Sequence, residues 1–172
     1  MRRSPAENRE NTLERLMSAY GDPVMRTCLL FLQSRTLAED ASQETFIRAW
    51  RFMDRLKENG SEKAWLLAIA ANVCRSMLKS RAYRDMGKNL YDDESVHETG
   101  TPDEYPDDTV YKTVNALPVK YRMPVVLYYY QGLSVNEIAG ALRIPGTTVR
   151  TRISRARAQL QKELKGWFFD EE

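Results

Sequence analysis

Histidine is almost missing from this chain of 172 residues: His97 stands alone in a polar stretch, and Cys28 and Cys74 are the two cysteines. A zinc site needs cysteines and histidines at close, regular spacing. None is present, so no metal is expected. The cysteines lie far apart, each in a segment of apolar periodicity, which reads as buried free thiols in a reducing cytoplasm. Long apolar runs are missing too. Ala64 to Ala71 carries no charge but covers only a few residues, whereas a membrane-spanning helix needs about 20; a soluble, cytoplasmic protein is expected. Behind Arg2 and Arg3 there is neither an apolar core nor a cleavage site, so no secretory signal is read. A glycine-rich phosphate loop and a nucleophile motif are also absent, and with them the usual marks of an enzyme or of a bound cofactor. A nuclease built from Asp92, Asp93 and Asp103 would need a scaffold that their surroundings lack.

What is present is charge and helical periodicity. With 42% hydrophobic and 29% charged residues the chain can bury a core and stay soluble, and its length suits one ordinary domain or two small ones. The net charge of +2 hides a partition: residues 1–85 carry +4, residues 86–109 carry −7 and residues 110–172 carry +5. Two basic segments flanking an acidic one are the asymmetry expected of two nucleic-acid-facing domains and a self-repelling linker. The stretch from Tyr91 to Asp108 has two prolines and no apolar periodicity, so it reads as extended and flexible. Its carboxylates suit mimicry of nucleic-acid charge against a basic surface.

No segment alternates as a strand does, and the fold class is all-α: two small helical domains joined by the acidic linker. A helical hairpin is expected from about Asn11 to Ser34, interrupted at Gly21 and restarted at Asp22-Pro23. Thr36-Leu37-Ala38-Glu39 has the form of a capping box opening a helix to about Lys57, and a further helix is expected from Glu62 to about Arg84. Pro118 sets another helix start, with a kink or restart at Pro124.

The sharpest pattern lies between Gly132 and Leu164. Ser134-Val135-Asn136-Glu137 is a second capping box, opening a short helix whose apolar face is Ile138, Ala139 and Leu142. Arg143-Ile144-Pro145-Gly146 makes a short turn, and Thr147 or Thr148 caps a longer helix. That is helix-turn-helix spacing. Along the second helix Val149, Ile153, Ala156, Leu160 and Leu164 step toward the core. Thr148, Arg150, Thr151, Ser154, Arg155 and Arg157 fall in the half that a recognition helix inserts into the major groove. Arg152, Arg157 and Lys162 broaden the positive surface for phosphates. Six cations on one amphipathic helix can be only a solvated face, but between Thr147 and Lys165 the sole opposing charge is Glu163. A solvating helix mixes signs at i,i+4 spacing, so DNA binding is the stronger reading.

Upstream, Asp40, Gln43, Glu44, Ile47 and Arg51 share one side of the helix from Ala38, and Phe46, Ala49, Trp50, Met53 and Leu56 make its core-seeking stripe. The run Ala38 to Arg51 (AEDASQETFIRAWR) closely resembles the core-polymerase-binding segment of sigma-70-type factors, and the compact layout resembles the extracytoplasmic-function (ECF) subgroup. Lys63 to Asn72 (KAWLLAIAAN) is similar to the helix that recognises the −10 element. Leu133 to Ala139 (LSVNEIA) and Thr148 to Arg157 (TVRTRISRAR) are similar to the −35-reading helix-turn-helix. The three motifs follow the family's order.

The resemblance implies a factor that directs core RNA polymerase to promoters. Residues 1–85 would be the region 2 domain, residues 86–109 the linker and residues 110–172 the region 4 domain. Asp40, Gln43, Glu44 and Arg51 would touch the polymerase. The loop from Met53 to Lys63 would hold a base flipped from the non-template strand, and Asn72, with Arg75 and Lys79, would read and hold the melted −10 strand. Trp65 is a stacking platform or, equally well, a core residue, and Arg81 and Arg84 add positive charge for phosphates. The recognition helix would read −35 duplex DNA. The partners implied are core RNA polymerase and promoter DNA; an anti-sigma factor fits the family, and the free chain would be a monomer. Arg143 stands where the family often has glycine and must take an unusual backbone angle or a different turn. The competing reading is an operator-binding regulator, which usually brings a ligand pocket or receiver domain; neither is visible here.

Overall fold

A computed structural model describes residues 5–84 and 108–168, all of it helical or connecting. The linker expected between the two basic segments falls almost wholly outside the described residues. The helices are α1 (Pro5–Leu32), α2 (Arg35–Arg51), α3 (Glu62–Arg84), α4 (Asp108–Asn115), α5 (Val119–Val125), α6 (Val135–Leu142) and α7 (Gly146–Phe168). A 3₁₀ turn over Met53–Arg55 follows α2, and a π-helical turn over Val126–Tyr130 follows α5. Among the described residues there is no strand.

The hairpin expected at the start is instead one helix. α1 runs unbroken through Gly21 and Pro23. Proline removes one backbone donor, but Leu16, Val24, Cys28 and Phe31 lie on either side of the break and are all fully buried. Keeping them on one stripe against α2 and α3 outweighs one lost hydrogen bond, since each fully buried residue of this kind contributes about 1.5–3 kcal/mol. α2 also starts earlier than its apparent capping box. Ser34, in extended conformation, accepts the N–H of Leu37, so Thr36 lies inside the helix. Ser61 caps α3 by accepting the N–H of Ala64 at 3.1 Å.

The first three helices pack around α1. Arg15 donates two hydrogen bonds to the Glu62 carboxylate, at 2.6 and 2.9 Å, pinning α1 to the first turn of α3. Arg9 donates to the Trp50 carbonyl and lies over its ring, pinning α1 to the end of α2. Cys28 and Cys74 are free and buried between α1 and α3. A hydrogen bond from the Cys74 thiol to the Cys28 sulfur, together with burial, pushes the Cys74 thiol well above its ordinary range.

The last four helices form the second group. α4, eight residues long, was not expected; it buries Tyr111 and Val114. At Pro124 the chain neither stops nor breaks. The helix passes through it and widens two residues later, from Val126, whose carbonyl accepts the N–H of Gln131 five residues on. Both groups contribute to one continuous buried cluster, from Leu16, Phe31 and Leu66 to Val126, Ile138 and Val149.

Candidate nucleic-acid and polymerase interface

The helix-turn-helix is built by local rules. The Ser134 N–H donates to the Glu137 carboxylate at 2.8 Å and the Glu137 N–H donates to the Ser134 hydroxyl at 3.2 Å, the reciprocal pair that opens α6. α6 ends at Arg143, which adopts the left-handed conformation (φ 55°, ψ 46°). The N–H groups of Arg143 and Ile144 both return to the Ala139 carbonyl, closing the helix C-terminus. α7 then starts at Gly146 with Val149, Ile153 and Ala156 buried. The turn foreseen at Arg143 is therefore present, with the strained angle on a non-glycine residue.

Arg150, Thr151, Ser154, Arg155 and Arg157 are exposed along α7, while Thr148 is half-buried. The Thr151 hydroxyl donates to the Thr147 carbonyl in the preceding turn. Among the described residues none of the three arginines has a carboxylate within ion-pair distance. Unpaired guanidinium groups projecting from the N-terminal half of an exposed helix can bind phosphates or, two-pronged, guanine edges.

On α2, Asp40, Gln43 and Arg51 are exposed with Ile47, and Glu44 is half-buried and paired with Arg48 at 2.7 Å. A mixed-charge stripe with an exposed isoleucine at its centre suits a protein partner better than a polyanion. On α3, Asn72, Arg75 and Lys79 lie at i, i+3 and i+7 and so share a face. Lys79 is exposed, Asn72 is half-buried, and Arg75 donates to the carbonyl of Leu142 at the end of α6, at 2.8 Å. Trp65 is half-buried and packs against the core. Among the described residues no group of three or more histidines, cysteines or acids could hold a metal, and no helix is long and apolar enough to cross a membrane.

Comparison with known proteins decides the family. Residues 16–84 match the model of sigma-70 region 2, and residues 107–160 match that of sigma-70 region 4. The ECF RNA polymerase sigma factor SigW of Bacillus subtilis is 32% identical over 163 residues, covering 87% of both chains. This chain belongs to the ECF sigma factors. The RNA polymerase sigma-H factor of Pseudomonas aeruginosa is 29% identical over 87% of this chain and 84% of its own. In structure, the sigma factor RpoE from Bartonella quintana, solved in complex with the anti-sigma factor NepR, superposes with a TM-score of 0.75 at 25% identity, covering 88% of this chain and 96% of that one. CnrH, solved with the cytosolic domain of CnrY, shares the fold at a TM-score of 0.64 and 23% identity, covering 91% of this chain and 90% of that one. As a sigma factor the chain directs promoter-specific transcription initiation through core RNA polymerase.

Four residues that matter to how this sigma factor is assembled were not singled out in sequence: Gln33, Ser61, Arg122 and Gln131. Ser61 carried a signal, since it immediately precedes a helix start. The other three act on backbone groups about 80 or more residues away, and no local pattern marks such partners.

Proposed function

We propose a division of labour between the two helical groups, with residues 1–85 as the region 2 domain, residues 110–172 as the region 4 domain and residues 86–109 joining them. Asp40, Gln43, Glu44 and Arg51 dock on the core enzyme. Asn72, Arg75 and Lys79 take the melted −10 strand, and Thr148, Arg150, Thr151, Ser154, Arg155 and Arg157 engage the −35 duplex. The observation that carries this reading is the row of exposed arginines on the N-terminal half of α7 without carboxylate partners. Promoter melting requires a place to hold unstacked bases, and a mixed polar and basic helix face offers it. The chain itself is not an enzyme: the polymerase performs the chemistry, and the sigma factor supplies address and melting in the cytoplasm. Because a solved relative is held by an anti-sigma factor, we extend that kind of partner to this chain.

Run-off transcription from a library of random promoters, with bacterial core polymerase and with or without this protein, tests the reading. Start sites that appear only with the protein and share −35 and −10 elements are expected. A protein that shifts a specific duplex alone, while adding no start sites, would instead be an operator-binding regulator.

A further inference from the structure

Where the first turns of α6 and α7 face each other, Gly146 leaves a notch. A Cβ placed on Gly146 would lie 3.7 Å from Cγ1 of Val135, 3.9 Å from Nη1 of Arg150 and 4.0 Å from Oδ1 of Asn136. A methyl group, a guanidinium nitrogen and an amide oxygen therefore border one small space. A single carbon would fit there at ordinary contact distance, whereas a longer side chain at position 146 would compete with Arg150 for it.

Helix geometry explains how Arg150 comes to lie there. Helical side chains lean toward the N-terminus and cover the residue four positions back, which for Arg150 is Gly146. Its guanidinium is carried over the start of α7 and toward the start of α6. Helix N-termini carry partial positive charge, so a cation in this notch is repelled by both helix ends and needs an acceptor. Asn136, the second residue of α6, brings one: its amide oxygen is the negative end of a dipole and adds no net charge where DNA phosphates approach. The neighbouring Glu137 carboxylate is already taken by the Ser134 N–H. Asn136 and Arg150 are both exposed, and among the described residues no hydrogen bond or ion pair engages either side chain.

We propose that Asn136 is a positioning residue for −35 recognition. Its Oδ1 accepts a hydrogen bond from Nη1 of Arg150 as the recognition helix docks, which fixes the plane of the guanidinium and turns the Nε–Nη2 edge to one base pair. The inference rests on the assignment of Arg150 to the −35 duplex. Arginine discriminates guanine by two parallel N–H groups on O6 and N7, and that pairing requires the planar fork to be correctly aimed. The arginine stem turns about several bonds, so a partner that holds the fork in place lowers the cost of ordering it at the interface. Asn136 thus acts on sequence choice without touching a base.

Base preferences selected from a random promoter library by core polymerase carrying each variant test the proposal. Arg150→Ala should flatten the preference at one base pair of the −35 element, which identifies the pair it reads. Asn136→Ala should weaken the preference at that same pair about fivefold, and the double variant should be no flatter than Arg150→Ala, because the effect passes through Arg150. The other −35 positions should keep their parental preferences. Asn136→Asp keeps an oxygen at the notch and should retain the preference. A merely structural role would not give this pattern, since lost stability lowers transcription from all promoters alike. An unchanged preference in Asn136→Ala, a loss spread over several base pairs, a double variant flatter than Arg150→Ala, or the same loss in Asn136→Asp would each overturn the proposal while the role of Arg150 stands. If Arg150→Ala flattens no position, Arg150 does not read the duplex, and its assignment falls together with this inference.

Discussion

Among the described residues, two that are not glycine hold left-handed backbone angles, Gln33 (φ 54°) and Arg143 (φ 55°), and they should respond differently to glycine. The left-handed region costs an ordinary L-residue roughly 1–2 kcal/mol, part of which glycine recovers before its greater freedom in the unfolded chain is counted. Arg143 is exposed, and the bonds that close α6 come from its backbone. Arg143→Gly is therefore expected to stabilise the fold by about 0.5–1 kcal/mol, read as a higher urea midpoint with an unchanged slope. The Gln33 side chain makes a bond to Asn115 that glycine would lose. Gln33→Gly should leave the midpoint unchanged or lower it. A midpoint that falls with Arg143→Gly would mean that its side chain contributes to the turn in a way its exposure does not suggest.

Whole helices obey longer-range terms, and there the sequence is an uneven guide. The capping box at Ser134 was legible because both of its bonds close within three residues, and the strained turn at Arg143 because position and residue type conflict locally. The buried face of α7 followed from its spacing at Val149, Ile153 and Ala156, while Leu160 and Leu164 are only half-buried. The break expected at Gly21 and Pro23 failed for the opposite reason: the stripe from Leu16 to Phe31 is held by α2 and α3, which no local rule includes. α4 was hidden by the acidic residues before it, and the π turn after Pro124 has no signature in residue type. Three predictions belong to this scale. The Arg15 guanidinium holds the Glu62 carboxyl below its ordinary value by hydrogen bonding. The folded state then binds the proton less readily than the unfolded chain, so this contribution is present above the ordinary carboxylate range and disappears as pH falls through the lowered value. Because the pair is partly exposed, Glu62→Gln should cost less than about 1 kcal/mol at pH 7. That difference should vanish in strong acid; urea midpoints measured at both pH values check it. On α7, Arg150→Ala or Arg155→Ala should relax promoter choice at single base pairs by about 1–3 kcal/mol with core binding intact. On α2, Glu44→Arg should weaken core binding and spare sequence preference. Competition transcription and a core-binding titration on each variant separate the effects; loss of core binding in the α7 variants would contradict the division between the groups.

For the molecule as a whole, the joint is a core rather than a tether. Phe31, Leu66, Val126 and Ile138 are each essentially inaccessible and belong to one cluster drawn from both helical groups. Each group taken alone would expose part of that cluster, and Arg122 would lose one of its three carbonyls. The charge partition in the sequence could not reveal that the two basic segments touch, because the residues that join them are single side chains bonded to distant backbone. Shared burial couples the unfolding of the two groups. Scanning calorimetry of the free chain should therefore give one transition, with calorimetric and van't Hoff enthalpies agreeing. Domains connected only by a linker would instead melt independently, in two transitions or one broad one with a van't Hoff enthalpy well below the calorimetric value. Arg122→Met sharpens the test. It removes a buried cation together with three hydrogen bonds, so the seam should loosen before either helical group melts, and a transition that was single in the parent should split. If the parent already melts in two steps, the continuous cluster does not hold the groups together in solution.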